Sequence, residues 1–363
     1  MTRLPGATLL ALLLILVPSA HLQGQTTPAA QRPAAVPRLA DGSPDMQGYW
    51  TNQTFTPLER PAQLKDKAMF TAEEAAAWAR RGLDNIHDQP RGAEVTSDAE
   101  IHYDDAIWML EGYPKGAMLR TSIITDPADG RIPPMNAEGQ NRAQERAAAR
   151  KRVGPFDNAQ ARSLSERCIY WAHEGPPILP TGYNSNLQIV QAPQTFVVIP
   201  EMMPVARIVP LDPSTLRQAQ GRPEQRRGTT GSGSPRADSR GDGRPLVSSA
   251  LRAYRGYSRG RWEGDTMVIE TTNYSEKTAW RGASEHMKVT ERFTLISPTT
   301  IRYEFTVEDP ATWTRPWSGE YEMTRIVGPL FEYACHEGNY GLPTILRGAR
   351  LAEATAAKSG ESR

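Results

Sequence analysis

The sequence predicts a mainly β protein, an antiparallel meander that forms a curved sheet or closes into a barrel, with a few helices contributed by the N-terminal half. Three observations predict it. Ile301-Arg-Tyr-Glu-Phe-Thr-Val-Glu308 alternates apolar and polar without a break, the period of a strand with one face on an apolar core. Its neighbours Thr266–Thr271, Lys288–Ile296, Glu320–Arg325 and Leu330–Cys335 also look like strands and follow at short intervals. Short connections suit antiparallel neighbours, because a parallel crossover needs a dozen or more residues. Composition agrees: 30 prolines and 29 glycines, with 39% hydrophobic and 7% aromatic residues, fit a loop-rich β protein better than a helical bundle.

At the N-terminus, Arg3 precedes the apolar run Leu9–Val17 and the small residues Ser19 and Ala20. This is the pattern of a secretory signal peptide over 1–24, too short to span a bilayer. No cysteine lies near it to carry a lipid anchor, and no later stretch has the length of a membrane span. The mature protein is therefore expected to be soluble and exported, periplasmic or secreted. Residues 25–44, rich in Ala, Pro and Gln, read as a disordered leader. A single β-rich domain should cover 45–350, and the charged, alanine-rich tail 351–363 should fray.

The domain opens on Gly48-Tyr-Trp50. A Gly-x-Trp at a strand start can lay an indole across the end of a barrel, which suggests a likeness to lipocalin-type folds; an ordinary sheet tryptophan is the alternative. Thr71-Ala-Glu-Glu74 is a capping box for a helix over Ala72–Arg81, with Gly82 as its stop. Met118–Thr125 is a strand candidate closed by the turn Asp126–Gly130. Asn136 can cap a polar helix over 137–152, whose arginine-rich face should be exposed and solvated. Strands are expected at Leu187–Gln191, Thr195–Pro200 and Arg207–Leu211. Composition then breaks: Pro213–Pro245 carries seven arginines against three acids and few apolar residues. Such a segment cannot offset its ordering entropy by burial and reads as a disordered insertion in a loop. A polyanion-binding tail is the sharper reading, but no aromatic residues are interleaved to stack bases. With a formal net charge of +1, no global field recruits nucleic acid or membrane.

No motif for a nucleophile elbow, a phosphate-binding loop or a zinc protease is present. In an oxidising compartment, Cys168 and Cys335, the only cysteines of the chain, favour one disulfide; two buried thiols are the alternative. Each adjoins a His-Glu-Gly triplet, His173-Glu174-Gly175 and His336-Glu337-Gly338. A disulfide would bring the triplets within about 10–15 Å of each other. His336, Glu337 and His173 are then candidates for acid–base catalysis, although the spacing matches no metal signature and two hydrogen-bonded surface turns are the plainer reading. Trp50, Trp262, Tyr303, Trp313 and Trp317 are candidates for an aromatic-lined ligand pocket, with core packing as the alternative for each. Arg292, Arg302, Glu304 and Glu308 line either a polar barrel interior or a solvated outer face; periodicity does not say which.

Several segments together resemble a large group of exported proteins of environmental bacteria to which no activity is assigned. They include Asp126–Pro134, Tyr183-Asn-Ser-Asn186, Gly260-Arg-Trp-Glu-Gly-Asp-Thr266, Tyr303–Pro310 and Tyr333-Ala-Cys-His-Glu-Gly-Asn-Tyr340. The resemblance spans about 45–350 and implies membership of the group without a mechanism. In the group a histidine follows the strand that here ends at Glu201-Met-Met203, where this chain has Pro204. The chain departs from it again in the extra residues between Leu211 and Ser258. The leading functional reading is a barrel-like protein binding a small apolar or aromatic molecule. The alternatives are an exported hydrolase or isomerase using His336 and Glu337 with Glu291 or Glu304, and an envelope-associated interaction protein. Any cofactor and the oligomeric state are left open.

Overall fold

The computed structural model describes residues 35–87, 116–181, 184–203, 205–212, 251–278 and 280–359. The expected signal peptide and the insertion 213–245 lie outside the described residues. Among the described residues there are ten strands: β1 (Gly48–Thr51), β2 (Ile124–Asp126), β3 (Asn186–Ala192), β4 (Thr195–Pro200), β5 (Arg207–Pro210), β6 (Tyr257–Glu263), β7 (Thr266–Thr272), β8 (Lys288–Ser297), β9 (Thr300–Glu308) and β10 (Trp317–Ile326). Nine form one sheet in the order β5-β4-β3-β1-β10-β9-β8-β7-β6, every neighbour antiparallel, while β2 pairs with β10 off this path. The expected meander is present as β7 to β10, joined at its edge by β6.

The sheet curls until its two edges meet. Eight antiparallel steps leave β5 and β6 running in the same direction, so the closing contact must be parallel. It is: Leu211 bridges Gly260 in parallel, and the Asp212 amide donates to the Gly260 carbonyl at 2.9 Å. A Cβ on Gly260 would lie 2.6 Å from Leu211 Cδ2 and 3.0 Å from Val209 Cγ1, so a residue without a side chain lets the edges approach.

Alternation decides which face is inside. Val289, Phe293 and Leu295 on β8 and Ile301, Tyr303, Phe305 and Val307 on β9 are buried, and aromatic rings pack in succession across the interior. Phe196 lies 5.6 Å from Phe293, Phe293 4.9 Å from Tyr303, and Tyr303 5.0 Å from Tyr321, between ring centroids. The interior is thus a packed apolar core. Arg292 pairs with Glu263 and Glu308 with Lys288 on the outer face, and Arg302 is exposed, which resolves the two readings in favour of solvated charge rows.

Trp50 is fully buried in the core. Its indole N–H donates to the Met46 carbonyl at 2.9 Å, and the Arg325 guanidinium lies 4.3 Å from the ring centroid. Arg325 also donates to the carbonyls of Gln47 and Pro298, so one cation ties β10 to the turn before β1.

Helix α1 (Ala72–His87) begins at the expected capping box: the Thr71 amide donates to Glu74 Oε2 at 2.8 Å and Thr71 Oγ1 accepts from the Glu74 amide. It does not stop at Gly82. A Cβ there would clash with the Phe55 ring, so this glycine serves close packing and not termination. Helix α2 (Ala137–Arg152) is capped by Asn136, whose Oδ1 accepts from the Gly139 amide at 2.8 Å. Its arginine face is not simply solvated. Arg142 donates to the Ala311 carbonyl and Thr312 Oγ1, and Arg146 to the carbonyls of Gly282 and Ala283. The helix docks through guanidinium groups because it has no large apolar stripe to bury.

Two expected strands, Leu330–Cys335 and Met118–Thr125, are corrected. Leu330–Cys335 pairs with no strand, and Phe331 is 75% exposed; apolar composition without an available sheet edge does not make a strand. Within 35–44 the Leu39 amide donates to the Ser43 carbonyl and the Gly42 amide to the Leu39 carbonyl across a turn, and Arg38 binds Asp265. Most of the expected frayed tail continues α3 (Gly341–Ser359). Of the expected strand Met118–Thr125, β2 keeps only the end, its remainder making an isolated bridge at Arg120.

Candidate functional site at the barrel seam

Where β5 and β6 meet at a single bridge, the outer surface holds a groove of about 640 Å³. Its apolar wall comes from Ile169, Val205, Ile208 and Pro210 on one side and Tyr254 and Tyr257 on the other. The local sequence explains the exposure. On β5, Arg207 and Val209 face the barrel interior, so the intervening Ile208 must point out, and it is 65% exposed. Val205 and Tyr257 are exposed beside it. Gly256, at a φ of +65°, allows the Ala253–Gly256 turn to press against β7, since a Cβ would lie 2.5 Å from the Thr272 carbonyl oxygen.

Two buried arginine–glutamate pairs lie at the groove. Arg207, which lines it, sends its guanidinium inward and binds Glu291 in a fork, Nη1 to Oε2 at 2.7 Å and Nη2 to Oε1 at 3.1 Å. Side-chain exposure is 7% for Arg207 and 0% for Glu291, so the pair is shut off from water. The Tyr303 hydroxyl donates to Glu291 Oε1 at 2.8 Å and accepts from the Ile178 amide. Burial first, and then the neighbouring Glu291 carboxylate, push the Tyr303 hydroxyl well above the usual phenol range.

The second pair is Arg255–Glu174. Arg255 Nη2 donates to Glu174 Oε2 and to the Met203 carbonyl, and the guanidinium lies 6.0 Å from the Tyr170 ring centroid. The Glu174 carboxyl is 4% exposed. Burial pushes its pKa up to about 8, against the opposing pull of Arg255. Among the described residues its Oε1 and the buried Tyr170 hydroxyl have no hydrogen-bond partner. Glu174 also lines a small internal space of about 20 Å³ together with His173, Asn52 and Ser185, room for about one water molecule.

The disulfide Cys168–Cys335 is formed, with a Cα separation of 5.8 Å. It brings the two His-Glu-Gly loops together without joining their side chains. Glu174 turns into the protein, whereas His336 and Glu337 are exposed on the turn after Cys335. His173 lies at the rim of the small space, its imidazole held below the usual range by the surrounding protein and by Arg281. Among the described residues, no group of three or more His, Cys, Asp or Glu is placed to hold a metal ion.

Of the aromatic candidates, Trp50, Trp313 and Trp317 lie in the core, the last two packed edge to face at 5.8 Å. Tyr303 is in the interior network. Trp262 is buried yet lines a cleft of about 320 Å³ under the Leu39–Ser43 turn, with Phe196 and Leu211. The groove residues Ile208, Tyr254, Tyr257 and Arg255 were not singled out from sequence. One signal was available for the interior pair: Glu291 falls in phase with Val289 and Phe293 on the apolar stripe of β8, where a carboxylate requires a partner.

Among the described residues no helix is long and apolar enough to cross a membrane. No protein-family model, no curated protein and no solved structure matches the chain.

Proposed function

We propose that the protein is a barrel-like binding protein that takes a small apolar or aromatic molecule in the groove along the β5–β6 seam. The observation that carries this reading is the clustering of Val205, Ile208 and Tyr257, all solvent-exposed, around one groove of about 640 Å³. Small-molecule sites are concave, of roughly 300–1,000 Å³, mostly apolar and furnished with a few placed polar groups. The aromatic contribution comes from Tyr254 and Tyr257, while Trp50, Trp313, Trp317 and Tyr303 pack in the core that supports the sheet. The disulfide supports the exported location inferred from the N-terminus. The likeness to lipocalin-type barrels draws support from Trp50 under Arg325; the nine-stranded path and parallel closure depart from the eight-stranded up-and-down pattern. The hydrolase or isomerase reading lacks comparable support, because His336 and Glu337 stand exposed and apart from the buried carboxylates.

Calorimetric titration with naphthalene- and indole-class compounds tests the proposal. The expected result is saturable binding that weakens about tenfold or more in Ile208→Asp, as loss of an apolar contact worth roughly 1.5–3 kcal/mol requires, with an unchanged far-ultraviolet circular dichroism spectrum. Absence of saturable binding, or binding indifferent to Ile208→Asp, overturns it.

A further inference from the structure

We infer that the ligand of the seam groove is an amphipathic anion, an apolar or aromatic body bearing a carboxylate or similar oxyanion that Arg255 receives. This inference rests on the groove being the binding site. Arg207, Arg255 and Arg259 line the groove; Arg259 already has an interaction of its own, and the other two are committed differently. Arg207 spends both terminal nitrogens on Glu291. Arg255 spends Nη2 on Glu174 and the Met203 carbonyl, and among the described residues its Nε and Nη1 make no hydrogen bond. The Glu270 carboxylate at the groove is already engaged by Arg261 at 3.0 Å. A half-committed guanidinium beside an exposed apolar wall complements a carboxylate, whose two oxygens match the planar fork of donors.

Glu174 sets the strength of that complement. Buried, with one oxygen unpartnered, it is a neutral acid over much of the neutral range, which leaves the Arg255 charge for the ligand. As pH rises through about 8, Glu174 ionises and competes for Arg255. Anion binding is therefore strongest below that pH and falls above it. Of the neighbouring groups, Tyr170 and Tyr274 are pushed above the usual phenol range by burial, His173 is held below its usual range, and the Arg207 guanidinium is bound by Glu291.

The test compares 2-naphthoate with 2-naphthamide, alike in shape but not in charge, by calorimetry at pH 6.5 and pH 9. Wild type should prefer the acid about tenfold to a hundredfold at the lower pH, the range of one charge-assisted hydrogen-bonded contact. The preference should shrink at the higher pH. Arg255→Met should bind acid and amide alike, and Glu174→Gln should hold the preference constant across the two pH values. Equal wild-type binding of acid and amide at pH 6.5 refutes the anion inference and leaves the groove binder standing. Failure of both compounds and of neutral aromatics to bind refutes the groove itself. Should Arg255→Met not fold, the wild-type comparison and the Glu174→Gln pH profile decide the matter.

Discussion

The Arg207→Met substitution probes the most enclosed interaction in the barrel. It removes both forks of the pair and leaves Glu291, with 0% side-chain exposure, holding only the Tyr303 hydroxyl. Breaking a buried pair by removing one partner costs about 3–5 kcal/mol, because the survivor is an uncompensated charge in a poor dielectric. Were water able to reach the carboxylate, the cost would fall to about 0–1 kcal/mol, the range of surface pairs. The two figures differ enough to decide between a closed and an open interior. At about 2–4 °C per kcal/mol for a chain of this class, the closed interior predicts a loss in melting temperature of roughly 6–20 °C. Replacing both partners, as Arg207→Met with Glu291→Leu, removes the stranded charge and should recover most of the loss. The assay is urea unfolding followed by circular dichroism, with midpoint and slope both read. A single substitution that costs less than about 1 kcal/mol, or a double one as damaged as the single, refutes the closed core.

Further expectations can be checked with the same assay. Cys168→Ser, or reduction of the native protein, should lower stability by about 2–5 kcal/mol, and equal stability with and without reductant would show that the link between the two loops is idle. Gly260→Val puts side-chain atoms where Leu211 and Val209 already lie; it should cost roughly 1–3 kcal/mol and raise amide exchange at β5 and β6 before other strands, whereas uniform exchange would argue against an edge-specific effect. Glu174 has a folded pKa raised above its usual value, so it contributes stability that is complete below about pH 4.5 and lost as pH rises through about 8. Glu174→Gln should therefore flatten the stability profile between those limits, and an unchanged slope there would place the titration elsewhere.

How much of this was legible in the residues depended on whether a local pattern carried the structure. β8 and β9 alternate over their whole length because one face meets the core and the other meets water, and period two records that directly. Asn136 and the Thr71 capping box were equally local. β6 was harder to see as a strand from its start, because only Gly260 and Trp262 are buried in Tyr257–Glu263; its place is set by β7 and by the seam. Leu330–Cys335 has the apolar content of a strand but no edge to join. The groove was out of reach for the same reason. Ile208 and Tyr257 are some fifty residues apart and become neighbours only because the sheet curls round to meet itself. The Glu291 partner could have been sought, since an acid in phase with Val289 and Phe293 announces that a cation must come from another strand.

The odd strand count has a consequence for how the barrel can change. Two edges that meet in parallel cannot be joined by a tight turn, so the connection from Leu211 to Tyr257 must travel, and its length is then nearly free. A long connection at that place leaves every antiparallel ladder untouched, from β5 through β4, β3, β1 and β10 to β6. The join behaves as a clasp fastened by the Leu211–Gly260 rung. Residues can be gained or lost beside it, and the wall on either side can part or tighten, without unpicking the weave of the rest.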